Sequence, residues 1–417
     1  MAIWPTIPII VLFFSVIGPS DDDTFMAARP ALEHPDRVSR VMLFVSESQL
    51  GMFSALMQEP FPVLTHLSIT SQSGTVSTLP DGFLGGSARS LQQLELCDIL
   101  CPALPSLLLS ASNLVSLRLH NIPPAGYISP ESMVSHVATS PKLEILYIEF
   151  DELASLRDLI ISPPITRTVL PALHKFLYSG AFKYLEDFVS RIDTPQLNSL
   201  DICYSWSWNI NFDLPQLSEF INRSEALRES LSRCCKVMVN EDQNIIGFCV
   251  GRTTSDEAER WDPKPGILVC LSEAIDGQIF SLANILGYII PVLPDMVHCT
   301  INYVQRFMSE SSSLHEQENR DGLDWLQLLR QLSSPRTLFV PYNVASVISQ
   351  ALSYVDNGMN NELLPALQLL CLDGLEDEED LTTPSVHKFL AARRDSGHPI
   401  TFVETREKFE EKVGSYT

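Results

Sequence analysis

The sequence predicts an α/β repeat fold in which short parallel strands alternate with helices. A strand-like pattern of three apolar residues (apolar-x-x-apolar-x-apolar) recurs along the chain, and apolar stripes with helical spacing lie between its copies. Side chains alternate between the two faces of a strand, whereas they return to one face of a helix every three or four residues. With 417 residues, of which 45% are hydrophobic and 19% charged, the chain can bury a large core.

Seven copies of the strand pattern follow one another in the first half of the chain. They start at Val38, Leu64, Leu91, Leu114, Leu143, Leu173 and Leu197. The intervals between them are 26, 27, 23, 29, 30 and 24 residues, and an eighth copy starts at Leu367. Leucine-rich repeats carry this strand signature at intervals of about 20–29 residues. The spacing therefore predicts a leucine-rich-repeat-like solenoid (a horseshoe), with a parallel sheet on the concave face and helices on the convex face.

Helices are predicted between the strands. Ser129 is suited to cap one helix, because Pro130 then takes its first position and the apolar residues that follow share one face. Two further stripes comprise Phe182, Leu185, Val189 and Ile192, and Leu326, Leu329 and Leu332. A strand, a turn and a helix form one repeat, which buries its apolar face only against its neighbours.

The repeats divide the chain into three predicted parts. Residues 1–37 form an N-terminal cap segment, residues 38–403 a degenerate solenoid, and residues 404–417 a polar tail. Within the solenoid, residues 209–335 show no clean repeat and are predicted to form irregular units and loops. The polar stretches 251–266 and 309–322 favour loops within that region.

The apolar N-terminal run, residues 9–17, has two interpretations. It resembles the apolar region of a signal peptide, but no Lys or Arg occurs before Arg29, and secretory signals begin with a positive segment. The run is also too short to span a bilayer, which requires about 20 residues. We therefore predict a buried strand and keep a secretory signal as the alternative.

The net charge limits the classes of partner that we expect, and the cysteine usage indicates the cellular compartment. The formal net charge is −23, from 51 acidic and 28 basic residues, and such a surface repels phosphate backbones and anionic lipids. Nucleic acid and membrane are therefore not expected as partners. Nine cysteines, an odd number that includes the adjacent Cys234 and Cys235, fit reduced thiols better than a disulfide framework. The chain is predicted to be cytoplasmic or nuclear.

No motif for catalysis, phosphate binding or zinc binding occurs in the sequence. Cys97 and Cys101 have a spacing that could hold a metal, but no second ligand pair lies at a zinc-site interval, so core thiols are the better interpretation. We predict no enzyme activity, no cofactor and no metal. A carbohydrate-active solenoid remains an alternative, supported only by the abundance of acidic residues.

The concave face supplies the candidate partner-binding residues. Residues between the apolar positions of each strand point to that face. They include both signs of charge and a tyrosine, and aromatic anchors often dominate the energy of protein recognition. The candidates are His66, Gln93, Glu95, Arg118, Tyr147, Glu149 and Asp201. For any one of them the alternative is a solvated side chain, and His120 is interpreted in that way.

Several short stretches resemble a known family. They are residues 31–38 (ALEHPDRV), 61–67 (FPVLTHL), 84–88 (LGGSA), 392–394 (ARR) and 396–400 (SGHPI). Together they resemble the F-box-like leucine-rich-repeat proteins of mushroom-forming fungi, over nearly the whole chain. The resemblance implies that the repeats hold a substrate protein, while an N-terminal F-box docks a ubiquitin-ligase adaptor.

This chain departs from the family at its N-terminus. No F-box helices with a leading Leu-Pro motif precede the repeats, and residues 4–10 (WPTIPII) resemble the stretch that follows an F-box. Adaptor binding is thus expected only if an F-box lies upstream. The predicted function is a protein–protein interaction scaffold that resembles ubiquitin-ligase substrate receptors. The alternative is a secreted or cell-surface leucine-rich-repeat binding protein.

Overall fold

The fold is α/β and contains a large, mostly parallel sheet, as the sequence predicts. A computed structural model describes residues 10–15, 29–72, 76–150, 166–205, 213–231, 233–240, 245–251, 265–272, 278–293, 296–304, 314–353, 363–373 and 382–413. The chain divides into two compact units. The first contains residues 1–197 with 224–226, and the second contains residues 198–223 with 227–417.

In the first unit, strands and helices alternate along the chain. They are β1 (Ile10–Ser15), β2 (Val38–Val45), α1 (Glu47–Leu56), β3 (His66–Ser71), β4 (Ser77–Thr78), β5 (Gln93–Cys97), β6 (Ile99–Leu100), α2 (Leu104–Ser110), β7 (Ser116–Ile122), α3 (Pro130–Val137), β8 (Ile145–Phe150), β9 (Thr168–Val169), β10 (Lys175–Ser179), α4 (Phe182–Ser190) and β11 (Ile192–Asp193). The long strands are hydrogen-bonded in the order β1-β2-β3-β5-β7-β8-β10, and their pairings are parallel. Two small parallel ladders join β4 to β6 and β9 to β11.

Equivalent residues of the apolar strand patterns lie side by side in this sheet. Leu67 pairs with Leu94, Leu94 with Leu117, Leu117 with Leu146, and Leu146 with Phe176. Each of these side chains is at most 1% exposed. Because full burial of such a side chain stabilises a fold by about 1.5–3 kcal/mol, the apolar rows hold neighbouring strands together.

Helices cover the apolar face of the sheet in the first unit. The Phe188 ring of α4 lies 5.4 Å from the Phe176 ring of β10. Ser129 caps α3 as predicted, since its hydroxyl accepts the Ser132 N–H at 3.3 Å and Pro130 follows it. Helix α4 is shorter than the predicted stripe, because it ends at Ser190 and Ile192 begins strand β11.

In the second unit, one strand breaks the parallel arrangement. The elements are β12 (Ser199–Ser205), α5 (Pro215–Arg223), α6 (Glu225–Ser230), β13 (Cys234–Asn240), β14 (Ile245–Gly251), β15 (Gly266–Ser272), α7 (Gln278–Ile289), β16 (His298–Val304), α8 (Leu314–Gln331), β17 (Thr337–Val340), α9 (Tyr342–Ser353), β18 (Leu369–Leu372), α10 (Thr382–Asp395), β19 (Thr401–Val403) and α11 (Arg406–Val413). Their strand order is β12-β15-β14-β13-β16-β17-β18-β19. Strand β14 runs antiparallel to both β13 and β15, and the other pairings in this unit are parallel.

The last helix, α11, packs on the strands that precede it. Its Phe409 is 9% exposed, and the Phe409 ring lies 5.5 Å from the Phe339 ring of β17. The cluster around Phe409 also contains Leu369, Cys371 and Val403. Asp373 caps the helix, because its carboxylate accepts the Arg406 backbone N–H at 3.0 Å.

Three predictions about segments can be compared with these elements. The N-terminal run contains the predicted strand, β1, which pairs with β2, but Val11 is 56% exposed and so is not buried. The loop predicted for 309–322 is wrong from Leu314 onward, where α8 begins, because the helix that carries the apolar stripe of residues 326–332 extends back through polar helix formers such as Glu316 and Gln317. The predicted polar tail, 404–417, contains helix α11.

In the part of the chain that the structure describes, no helix combines the length and the apolar character that crossing a bilayer requires.

Candidate binding face

The unburied side of the sheet in the first unit holds most of the predicted binding residues. Along each strand its side chains alternate with the buried apolar ones. We call it the open face, and on strands β2, β3, β5, β7, β8 and β10 it comprises Arg40, Met42, Phe44, His66, Ser68, Thr70, Gln93, Glu95, Cys97, Ser116, Arg118, His120, Ile145, Tyr147, Glu149, Lys175, Leu177 and Ser179.

The strand register arranges these side chains in rows across the sheet. The middle row consists of Met42, Ser68, Glu95, Arg118, Tyr147 and Leu177. On one side of it lies the row of Arg40, His66, Gln93, Ser116, Ile145 and Lys175. On the other side Phe44, Thr70, Cys97 and His120 are paired in turn. The open face is therefore a regular surface whose side-chain positions the backbone fixes.

A group of polar side chains surrounds His120 near the centre of the open face. His120 Nε2 lies 3.5 Å from Glu95 Oε1, and its Nδ1 lies 3.6 Å from Glu149 Oε2. The Tyr147 hydroxyl donates to Glu149 Oε2 at 3.0 Å, and the Ser68 hydroxyl donates to Glu95 Oε2 at 3.2 Å. The His120 and Tyr147 rings are 4.3 Å apart between centroids. These five residues, the His120 cluster, link strands β3, β5, β7 and β8.

The His120 cluster is ionised at neutral pH. Burial lowers the pKa of His120, but Glu149 and Glu95 together outweigh burial and raise it to about 9. The contact with His120 lowers the pKa of Glu95 in spite of burial. Burial raises the pKa of Glu149, but the contacts with His120 and Tyr147 outweigh it and lower that pKa below its usual value. A protonated imidazole thus lies between two carboxylates.

Two residues with a left-handed backbone conformation support the cluster, one directly after β5 and one near the end of β7. Asp98 and Asn121 have φ values of 58° and 49°, in the left-handed region that Asp and Asn tolerate better than most residues. The Asn121 side-chain amide donates to the Asp98 carboxylate. The Asn121 backbone N–H also donates to the Glu149 carboxylate and helps to lower its pKa. The irregular end of β7, directly after His120, therefore positions one of its two carboxylate partners.

The arrangement suits charge recognition better than proton transfer. With a pKa of about 9, His120 is protonated at pH 7 and does not accept a proton there. Glu95 and Glu149, whose pKa values are lowered, do not donate one. Acid–base catalysis requires groups whose pKa values lie near the working pH, and the shifts here lead away from it.

The structure brings together most of the predicted site residues. Glu95, Tyr147 and Glu149 belong to the His120 cluster, and Arg118 lies between Glu95 and Tyr147 in the middle row. His66 and Gln93 are neighbours in the adjacent row. Burial and the nearby charge of Arg40 lower the pKa of His66.

Asp201 belongs to the second unit, and sequence reasoning placed it wrongly among the exposed residues. It lies on β12, pairs with Leu268 of β15 and is 7% exposed. Alternation along the strand gives its position but not its burial, which depends on neighbours in the sheet.

Sequence reasoning missed His120, the residue that organises the cluster. His120 comes directly after Leu119, as the candidate Glu149 comes directly after Ile148, so alternation places both on the open face. Its contacts with Glu95 and Glu149 depend on strand register, which a single strand pattern does not specify.

The open face is apolar at its β2 end. Met42 is 38% exposed and Phe44 is 43% exposed, and both belong to β2. On the adjacent strand β1, Val11 pairs with Arg40 and is 56% exposed. We call Val11, Met42 and Phe44 the apolar patch.

Among the described residues, the side chains that could bind a metal do not form a site, and the cysteines form no disulfide. Among the described residues, no group of three or more His, Cys, Asp or Glu side chains could hold a metal ion. All nine cysteines lie in the described part of the chain and are free thiols. Burial raises the pKa of Cys101 to about 12, and burial together with Asp98 does the same for Cys97.

A scan against protein-family models found no match for this chain, and a search of the curated proteins found no significant match. The resemblance to fungal F-box-like proteins therefore stays a prediction.

Proposed function

We propose that this chain is a protein–protein interaction scaffold of the leucine-rich-repeat type, and that its open face binds a protein partner. One observation carries the proposal: a regular, unburied sheet face holds an ordered charged cluster close to exposed apolar side chains. Protein interfaces combine apolar anchors with polar groups in this way.

The solenoid form of the fold is part of the proposal. Support comes from the strands of the first unit, which pair in chain order and in register, with helices between them. Strand β14 departs from that form, since it is antiparallel to its neighbours. We therefore propose a degenerate array in which the regular repeats present the binding surface.

Recognition without catalysis is supported by the His120 cluster. Its ionised groups hold one another, since both Glu95 and Glu149 contact His120 and Arg118 adds a positive charge near Glu95. Such a cluster fixes side chains for polar contacts with a partner, and electrostatic complementarity of this kind contributes mainly to specificity. A role in the cytoplasm or nucleus, as a substrate receptor of a ubiquitin ligase, is the biological setting that the family resemblance suggests.

Affinity capture with matched variants tests the proposal. The tagged full chain is compared with Arg118→Glu/Tyr147→Ala, which alters the centre of the open face. The control is Leu109→Asp on α2, where Leu109 is 55% exposed.

We expect an identified partner, prepared in pure form, to bind the wild type and the control equally. We expect it to bind the double variant at least tenfold more weakly, a loss of about 1.4 kcal/mol. Equal binding to all three proteins would remove the open face from the proposal. Co-purification of a ligase adaptor with a chain extended upstream would support the substrate-receptor setting, and its absence would count against that setting.

A further inference from the structure

We propose that the partner segment bound at the β2 end of the open face is acidic and carries a large apolar side chain that packs on the apolar patch. This inference rests on the proposed function and specifies the chemistry of the partner.

The apolar patch is contiguous and lies on one face. Val11 and Arg40 are register partners on β1 and β2, and alternation along β2 places Met42 and Phe44 on the same side as Arg40. Each member of the patch is more than a third exposed, at 56%, 38% and 43% for Val11, Met42 and Phe44. Contiguous exposed apolar side chains beside polar ones are typical of protein interaction sites.

Charge determines which partner suits this patch. The chain as a whole carries a formal charge of −23. The open face between β2 and β10 has a positive net charge instead. Its three basic residues, Arg40, Arg118 and Lys175, outnumber its two acidic residues, Glu95 and Glu149. His120 adds a further positive charge to this face at pH 7.

The two carboxylates on the open face are already engaged. Both contact His120, so they offer little attraction to a basic partner. Arg40, by contrast, is exposed next to the apolar patch and holds no ion pair in the part of the chain that the structure describes. An acidic group beside the apolar anchor would pair with Arg40, and charge complementarity therefore favours an acidic segment.

The second unit contains an apolar sheet surface that a helix of the same chain covers. In the second unit, α11 places Phe409 on an apolar strand surface that includes Leu369 and Cys371. That phenylalanine is flanked in the sequence by charged residues of both signs, the glutamates Glu407, Glu410 and Glu411 and the basic residues Arg406, Lys408 and Lys412. Phe409, together with Val413 of the same helix, thus covers an apolar sheet surface from within a charged segment.

A random-peptide library displayed on phage provides the test. The full chain is the bait, and enriched peptides are then measured in solution against Met42→Asp/Phe44→Asp, Arg40→Glu and the control Leu109→Asp. Circular dichroism checks that each variant is folded. If the double variant is not folded, Phe44→Ser replaces it.

We expect enriched peptides to contain Asp or Glu beside an aromatic or large aliphatic residue. The double variant should bind them about 30-fold more weakly or worse, as the loss of hot-spot contacts does. Arg40→Glu should weaken binding several-fold, and Leu109→Asp should leave it unchanged.

The other outcomes separate this inference from the proposed function. Patch-dependent peptides that are basic or uncharged would overturn the acidic partner, while the open face would remain a binding surface. Peptides that bind every variant equally, or no enrichment at all, would overturn docking at the apolar patch. The Arg118→Glu/Tyr147→Ala comparison then decides separately whether the open face binds a protein.

Discussion

Two phenylalanines on apolar sheet surfaces have opposite environments in this protein. Phe44 of β2, in the first unit, is 43% exposed. Phe409 of α11, in the second unit, is 9% exposed and packs against Phe339, Leu369 and Cys371. The chain therefore supplies its own cover for the surface of β17–β19. No described element covers the patch at β2, and this difference is the basis for proposing a partner there.

The first prediction concerns the two faces of a single strand. Side chains on the buried face should contribute more to the free energy of unfolding than those on the open face. Phe176 of β10 is fully buried against Phe188, and its neighbour Leu177 lies on the open face. We expect Phe176→Ala to lower the free energy of unfolding by about 3–5 kcal/mol, because it leaves a cavity. Leu177→Ala should cost less than about 1.5 kcal/mol, since partial exposure reduces the lost burial. Urea denaturation measures both, and equal losses would contradict the assignment of faces.

A second prediction concerns the covered surface. We expect Phe409→Ala to weaken the packing of α11 by about 2–3 kcal/mol, the contribution of one largely buried aromatic side chain. Phe44→Ala should change stability by less than about 1 kcal/mol, because nearly half of the residue is already exposed to solvent. Hydrogen exchange of the α11 amides measures the first effect and thermal unfolding the second. If α11 exchanges equally fast in the wild type and in Phe409→Ala, the cover is not held by this side chain.

The reactivity of one cysteine in each unit provides a third test of the difference between the covered and the uncovered surface. Burial and Asp373 raise the pKa of Cys371 to about 12, and Cys371 lies under α11. In Phe409→Ala, its labelling by N-ethylmaleimide should accelerate by roughly 30–150-fold, because opening becomes easier by the same 2–3 kcal/mol. Cys97, on the open face of the other unit, should label at an unchanged rate. Acceleration at both positions would indicate general destabilisation instead.

The smallest expected effect is the pH dependence that the His120 cluster confers. The folded-state pKa of His120, about 9, lies above its ordinary value of 6.5. The stabilisation from its charge is therefore complete below pH 6.5 and is lost as the pH rises through 9. The lowered pKa values of Glu95 and Glu149 act in the opposite direction, and their contribution is lost as the pH falls below 4.5. Because these side chains are partly exposed, solvent screening reduces both contributions.

Proton NMR of the His120 ring tests this directly. The wild type should titrate near pH 9. In Glu95→Gln/Glu149→Gln only burial remains, so the pKa should fall below 6.5. An unchanged titration midpoint in the double variant would show that the carboxylates do not control the imidazole.

The strands of the first unit were predictable from the sequence because alternation is a local property. The apolar pattern at Leu91 predicts that Leu94 and Leu96 are buried and that Glu95 lies between them on the other face, and the structure shows this arrangement. The same alternation places His120 on that face, because His120 follows Leu119 as Glu149 follows Ile148. The contacts of His120 with Glu95 and Glu149 depend on strand register, which a single strand pattern does not specify.

Other features depend on long-range pairing and were not predictable. Between β12 and β16 the strands are ordered β15, β14, β13, and nothing local distinguishes this from chain order. Helix α11 is polar apart from Phe409 and Val413, so its sequence indicates a solvated tail. Its packing becomes evident only when β17, β18 and β19 lie next to one another.

Photo-crosslinking from position 44 tests the central claim most directly. Phe44 is replaced by benzoylphenylalanine in the full chain, and Leu109, on helix α2, is replaced in the same way as the control. After irradiation with the identified partner, the account predicts a covalent adduct from position 44 and none above background from position 109. Adducts from position 109 alone, or equal yields from both positions, would contradict binding at the open face.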